Sequence, residues 1–158
     1  MLARYHRWAY GLLYERVDEL GDADYFADKG LFFKSVHGSM NHMLLVDRLW
    51  LARLQGEKTG RVNLAEALEE ERTGLRNAVF STCDAVITHV DALDEDAFDS
   101  EISYVSSAGE PFRRSRGPLI AHIVNHGTHH RGQVSAALTQ CGLEAPVMDL
   151  PYFLAEDR

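Results

Sequence analysis

The sequence predicts an all-α fold, a four-helix bundle formed as a single domain over residues 1–158. Three observations predict it. Four long segments carry apolar residues at the three-to-four-residue spacing of one helix face. The connection before the last of them is long, as bundles with a crossover require. The alternation that marks a strand is confined to a short stretch, 101–114.

The first helix is expected over residues 3–20, where Trp8, Leu12, Leu13, Val17 and Leu20 recur at helical spacing. The polar stretch Gly21–Gly30 then breaks the pattern. A second helix is expected from about Lys34 to Leu54, with Val36, Met43, Val46, Trp50 and Leu54 as its apolar stripe. Two glycines make Gln55–Asn63 a loop. The third helix is expected over roughly Leu64 to Val90. Asn63 would cap it, with Glu66 three residues on in a variant of the capping box. The segment EISYVSSAGEPFRR, 101–114, reads as a short hairpin or an extended loop. Ser115 is the expected cap of the last long helix, about Gly117 to Gln140, with Pro118 tolerated in its first turn. Gly142 supplies a C-terminal stop. The tail, EAPVMDLPYFLAEDR, ends in an apolar turn expected to pack back on the body.

Bulk composition narrows the function classes. The chain has 158 residues, 46% hydrophobic and 25% charged, the balance of an ordinary globular protein. No apolar run approaches a membrane span. The amphipathic opening lacks the apolar centre and cleavage site of a signal peptide, so a cytoplasmic protein is expected, without membrane partners. The net charge of -8 argues against a nucleic-acid partner. Arg113, Arg114 and Arg116 are read as solvated charges clustered in one loop. Cys83 and Cys141 make no disulfide framework and are read as small buried hydrophobes.

The histidines carry the chemistry. There are eight, and four lie close together in AHIVNHGTHHRGQ. Helical geometry sorts them. With Leu119 at zero, the apolar residues Ile123, Val134 and Ala137 fall near roughly 40°, 60° and 0° on the helical wheel. His126 falls at about -20° and His130 at about 20°, inside that stripe. His122 and His129, at about -60° and -80°, lie on its flank. Two imidazoles one turn apart in a buried stripe need partners, because a buried polar group is costly unless it is satisfied. At this spacing both rings can reach a single metal ion. A third ligand would come from another helix. His42, at the edge of the second stripe, is favoured on geometry, whereas His37 projects to the polar side. His6 and His89 stay open on this argument, with solvent-facing or packing roles as their simpler reading.

The opening YHRWAYGLLYE resembles the Tyr-Asn-x-Trp-Ala-Asn opening of the DinB family of DNA-damage-inducible bacterial proteins. SVHGSMNHMLLVDRLWLARL resembles that family's second helix. LIAHIVNHGTHHRGQVSAAL resembles its most specific motif, a His-x-x-x-His-Arg-Gly-Gln run, and LEAPVMDLPYFL resembles its ending. The match covers nearly the whole chain, in the family's order. One departure is His6, where the family usually has Asn at a position that is not a ligand. The resemblance implies up-down-down-up connectivity, a homodimer, and a divalent metal, commonly nickel or zinc, on three histidines. Carried onto this chain, the ligands are His42, His126 and His130.

Three neutral imidazoles would leave coordination positions free, the arrangement of catalytic zinc sites. Gln133, on the same face one turn past His130, is a candidate partner for a ligand ring. Asp47 is expected to pair with Arg48 or Arg131. Gly132 is read as a point of close helix approach. Tyr104 and Asp149 come from segments that could close over the site, although a structural role is the simpler reading, and Trp8 and Trp50 are read as core or interface anchors. The resemblance implies a metal-dependent enzyme that presents a low-molecular-weight thiol to an electrophile, in the manner of bacillithiol or mycothiol transferases, or a metal-dependent hydrolase. The competing class is a stress-associated metal-binding protein without turnover.

Overall fold

A computed structural model describes residues 1–156; Asp157 and Arg158 of the tail lie outside the described residues. The chain is mostly helical with one small sheet. Six α-helices occur among the described residues, in the order α1 (Leu2–Val17), α2 (Asp22–Phe26), α3 (Val36–Leu54), α4 (Arg72–Asp91), α5 (Arg116–Gln140) and α6 (Leu150–Glu156). Strands β1 (Glu101–Val105) and β2 (Pro111–Ser115) stand between α4 and α5.

The four long helices pack in a ring: α1 lies against α4 and α5, and α3 lies against the same two. Their shared core joins Leu13, Tyr14 and Val17 of α1 to Met40, Met43 and Leu44 of α3, Leu75 and Val79 of α4, and Val134 and Leu138 of α5. A second cluster joins Val46 and Trp50 to Ile102, Leu119 and Ile123. Burying apolar surface of this kind contributes roughly 25 cal/mol per Å². Tyrosines carry much of the α1 face: Tyr5, Tyr10 and Tyr14 are buried, while Trp8 and Leu12 of the expected stripe are only partly so.

The second and last long helices lie where the periodicity puts them. Ser35 caps α3, its hydroxyl accepting from the Gly38 amide at 3.0 Å. Ser115 stands at the start of α5 but makes no side-chain cap, and Gly142 follows its end at φ 80°. The first helix stops at Val17, short of residue 20, and the expected break holds the short helix α2. Residues 101–114 resolve as a hairpin, antiparallel with Glu101 opposite Ser115. Arg113 and Arg114 therefore lie on β2 rather than in a loop. Arg113 pairs with Glu101, and Arg116 bonds to Ala97 and Ser100. In the tail, Phe153 of α6 is buried against Tyr5 and Trp8.

The third helix is the main correction. It begins at Arg72, not Leu64, and Asn63 makes only a local turn, accepting from the Ala65 amide. A buried side chain on α3 explains this. Asn41 accepts from the amides of Leu68 and Glu69, at 2.8 and 3.0 Å, and donates to the Glu69 carbonyl at 3.0 Å. Those backbone groups are bonded away from a helical ladder, so a sequence with a helix-like apolar period stays in turns and bends.

Candidate metal centre

Helices α3 and α5 bring three imidazoles together. His42 and His130 are buried, and His126 is half-buried between them. Nε2 of His126 lies 3.2 Å from Nε2 of His42 and 3.1 Å from Nε2 of His130. The outer nitrogens are held from behind. His42 Nδ1 donates to the Leu64 carbonyl at 2.8 Å, and His130 Nδ1 donates to Gln133 Oε1 at 2.7 Å. A neutral imidazole carries one hydrogen, so both rings turn a lone pair toward His126. His126 can answer only one of them with a hydrogen bond. Its own Nδ1 is buried without a partner among the described residues.

Three acceptor-rich nitrogens this close call for a cation. Metal–nitrogen bonds of about 2.0–2.1 Å, at coordination angles of about 90–110°, separate ligand nitrogens by about 2.9–3.4 Å. The two contacts at His126 fall in that range, and the ligand atoms of all three histidines lie within 4.8 Å of one another. The group can therefore hold a metal ion. Burial also keeps the rings in the ligating, neutral form. His126 is pulled down to about 3, by desolvation first and then by the neighbouring His130 and His42. Desolvation lowers His42 and His130 too, partly offset by their bonds to Leu64 and Gln133.

Phe33 completes the wall. Its ring stacks on His42 at 3.7 Å between centroids and meets His130 edge-on. Gly38 makes this possible: a Cβ there would stand 2.1 Å from the Phe33 carbonyl oxygen. On the other side the site opens into a cavity of about 240 Å³, lined by His42, Val46, Trp50, Arg53, His122 and His126 among others.

The remaining histidines sort as follows. His37 bonds to Tyr25 and Asn41, outside the triad. His129 is exposed and bonds to Gln133. His122 lines the cavity beside His126 without joining the triad. His89 lies on α4, and its buried Nε2 has no partner among the described residues. His6 faces the interior, not solvent, at 1% exposure. Arg131 Nη1 donates to its Nδ1 at 3.0 Å, so its Nε2 donates to Asp47 Oδ2 at 2.9 Å. Tyr10 donates to the same oxygen. Asp47 thus pairs with His6 and Tyr10; neither Arg48, which bonds Thr82, nor Arg131 reaches it directly. Cys83 lies close enough to His6 and Asp47 to suggest a second donor group. That group does not suit an ion, although Asp47 Oδ1 has no partner among the described residues: both ring nitrogens of His6 are already bonded, a guanidinium stands beside it, and burial pushes the Cys83 thiol well up, away from the thiolate a metal needs. It serves as a polar tie between α1, α3 and α5. Cys141 is only partly buried.

Close helix approach occurs at Gly127, where a Cβ would stand 2.4 Å from His6 Cε1, and not at Gly132, which has open space. Tyr104 packs on Trp50 at the far end of the cavity, whereas Asp149 lines a different hollow with Tyr5 and Arg131. The periodic reading passed over Phe33, Asn41 and the Leu64 carbonyl, because a stacking ring, a loop clasp and a main-chain acceptor leave no periodic mark. Arg53 was legible: it stands eleven residues after His42, three turns along the same face.

Comparison with known proteins agrees with this architecture. The family model described as DinB family matches residues 1–158. Protein DinB of Bacillus subtilis (strain 168) is 23% identical over 159 residues, covering 97% of this chain and 91% of its own. A crystal structure of a DinB-like protein from Bacillus cereus ATCC 10987 superposes with a TM-score of 0.66 at 15% identity, over 89% of this chain and 90% of that one. A conserved protein from Enterococcus faecalis gives 0.70 at 13% identity, over 87% and 92%.

Proposed function

The chain belongs to the DinB family, and from that premise we propose that His42, His126 and His130 hold one divalent transition-metal ion, nickel or zinc, in an open site that works on a small molecule. The observation that carries the reading is the convergence of three imidazole nitrogens whose opposite ring atoms, in two cases, are bonded to Leu64 and Gln133. Imidazole suits both metals.

The cavity beside His42 and His126 favours an enzyme over a closed storage site. With an ion bound there, the site would have the chemistry to lower the pKa of a bound thiol or water and so provide a nucleophile near neutral pH. The protein's own part is to orient and to exclude. Leu64 and Gln133 fix the tautomers of two ligand rings, and Phe33 covers one side of His42. We read the activity as transfer of a low-molecular-weight thiol to an electrophile. A thiol is the more acidic partner for such an ion, and it needs less help from a base than water does. The long helices are read as an up-down-down-up bundle and the molecule as a cytoplasmic homodimer. No described helix is long and apolar enough to cross a membrane.

A conjugation screen tests the activity: metal-loaded protein, a panel of low-molecular-weight thiols, and alkylating electrophiles. Metal-dependent thiol consumption is the expected result. No consumption across the panel, with metal bound, would leave a metal-binding protein without turnover.

A further inference from the structure

The cavity beside the triad contains a buried charge with no counterion. Val46, Leu49, Trp50 and Arg53 follow His42 along one face of α3, at steps of four, seven, eight and eleven residues. His122 and His126 face them from α5. One end of this groove is the histidine triad, and the other is Arg53, about 16 Å of helix axis away at about 1.5 Å per residue.

Arg53 is 4% exposed, and it forms no salt bridge among the described residues. Its Nε donates to Thr59 Oγ1 at 3.2 Å, and its Nη2 donates to the Val105 carbonyl at 2.6 Å. The guanidinium lies over the rings of Trp50 and Tyr104, 4.6 and 5.0 Å from their centroids. These contacts hold it in place and orient it. They do not neutralise it, and Nη1 makes no hydrogen bond among the described residues. A buried cation is costly unless an anion accompanies it. The rest of the wall offers no carboxylate: Val46, Leu49, Trp50, Leu64 and Ser107 are apolar or neutral, and the others are histidines.

We infer that this cavity is a recognition pocket for a small organic carboxylate, its negative charge on Arg53, its apolar body against Trp50, Val46 and Leu49, and its far end directed at the histidine triad. Apart from the ion proposed at the triad, Arg53 is the one unneutralised cation of the lining and matches one negative charge. With Nε and Nη2 already bonded, the free Nη1 suits the single charge of a carboxylate better than it suits a bulkier dianion. The cavity of about 240 Å³ lies at the small end for ligand sites, so the molecule is modest in size. The inference deepens the proposed function and rests on it only for which end of the ligand reacts; the anion pocket itself stands on Arg53.

The test uses 3-phenylpropionate and its neutral amide as probes, by calorimetry, on the chelator-treated protein and again after zinc loading. Trp50 gives an independent fluorescence signal. The metal-free protein is expected to bind the acid at least tenfold more tightly than the amide. Arg53→Met should remove that preference, Arg53→Lys should restore part of it, and Leu49→Phe should weaken both probes by filling the cavity. Equal binding of acid and amide by the wild type would overturn the inference, as would undiminished acid binding by folded Arg53→Met. Zinc uptake is measured on the same samples. Failure to take up zinc, with acid preference intact, would count against the triad and for the pocket.

Discussion

The Nδ1 of His42 donates to the main-chain carbonyl of Leu64 at 2.8 Å. Leu64 can offer that carbonyl because its segment is not helical, and the segment is not helical because Asn41, one residue before His42, clasps Leu68 and Glu69. Two neighbouring residues on α3 therefore divide the work: one is the ligand, and the other holds the loop that orients it.

Replacing Asn41 by Ala should loosen that loop. Two part-buried amides and a carbonyl lose their partner, and a loss of this kind costs up to about 1–3 kcal/mol. Urea unfolding should show a loss of at least about 1 kcal/mol, and metal affinity should fall as His42 loses its fixed orientation. Unchanged stability would mean the loop holds itself.

Gln133→Ala should weaken metal binding while leaving the fold intact, because it removes the partner of His130 Nδ1 and, besides that, a bond to the exposed His129. Losses of such partners lower metal affinity by about 10–100-fold. A competition titration with a chromogenic chelator reads this directly. An unchanged affinity would show that His130 needs no orienting partner.

The glycines of α5 should separate cleanly. Gly127→Ala drives a methyl group into His6 and Arg131, so a destabilisation of about 1–3 kcal/mol is expected in denaturant unfolding. Gly132→Ala meets open space and gains helix propensity, so it should be neutral or stabilising by up to about 1 kcal/mol. The reverse order would contradict the packing of α1 against α5.

The metal-free protein should lose stability as pH falls below the ordinary histidine value. Burial lowers the pKa of His37, His42, His89, His122, His126 and His130 from 6.5. Below 6.5 the unfolded chain then binds more protons than the folded one. The contribution is complete above that value and is lost as pH drops toward the folded pKa values. Melting in the presence of a chelator should give a lower Tm at pH 5 than at pH 7. The depressed carboxylates, Asp24 and Asp91, act below their ordinary 3.8 and do not enter this window. A flat or inverted profile would contradict the buried neutral histidines.

What was legible in the sequence was whatever repeats. The α3 and α5 stripes, the hairpin alternation and the position of His126 and His130 among Leu119, Ile123, Val134 and Ala137 are periodic signals, and each is an element or face of the structure. What was not legible is held by single contacts across the fold. Residues 64–71 have a helical apolar pattern, but Asn41 bonds their backbone first. Asp47 sits next to Arg48, yet His6, forty-one residues earlier, reaches it instead. Phe33 shields His42 only because Gly38 leaves room. Such pairings depend on three-dimensional proximity, which a one-dimensional period does not encode.

The central claim is that His42, His126 and His130 form the metal site, and elemental analysis after zinc or nickel loading tests it most directly. Wild-type protein and His129→Ala should each retain close to one ion per chain after desalting, and His126→Ala should retain none. No uptake by the wild type, or equal loss in His126→Ala and His129→Ala, would contradict it.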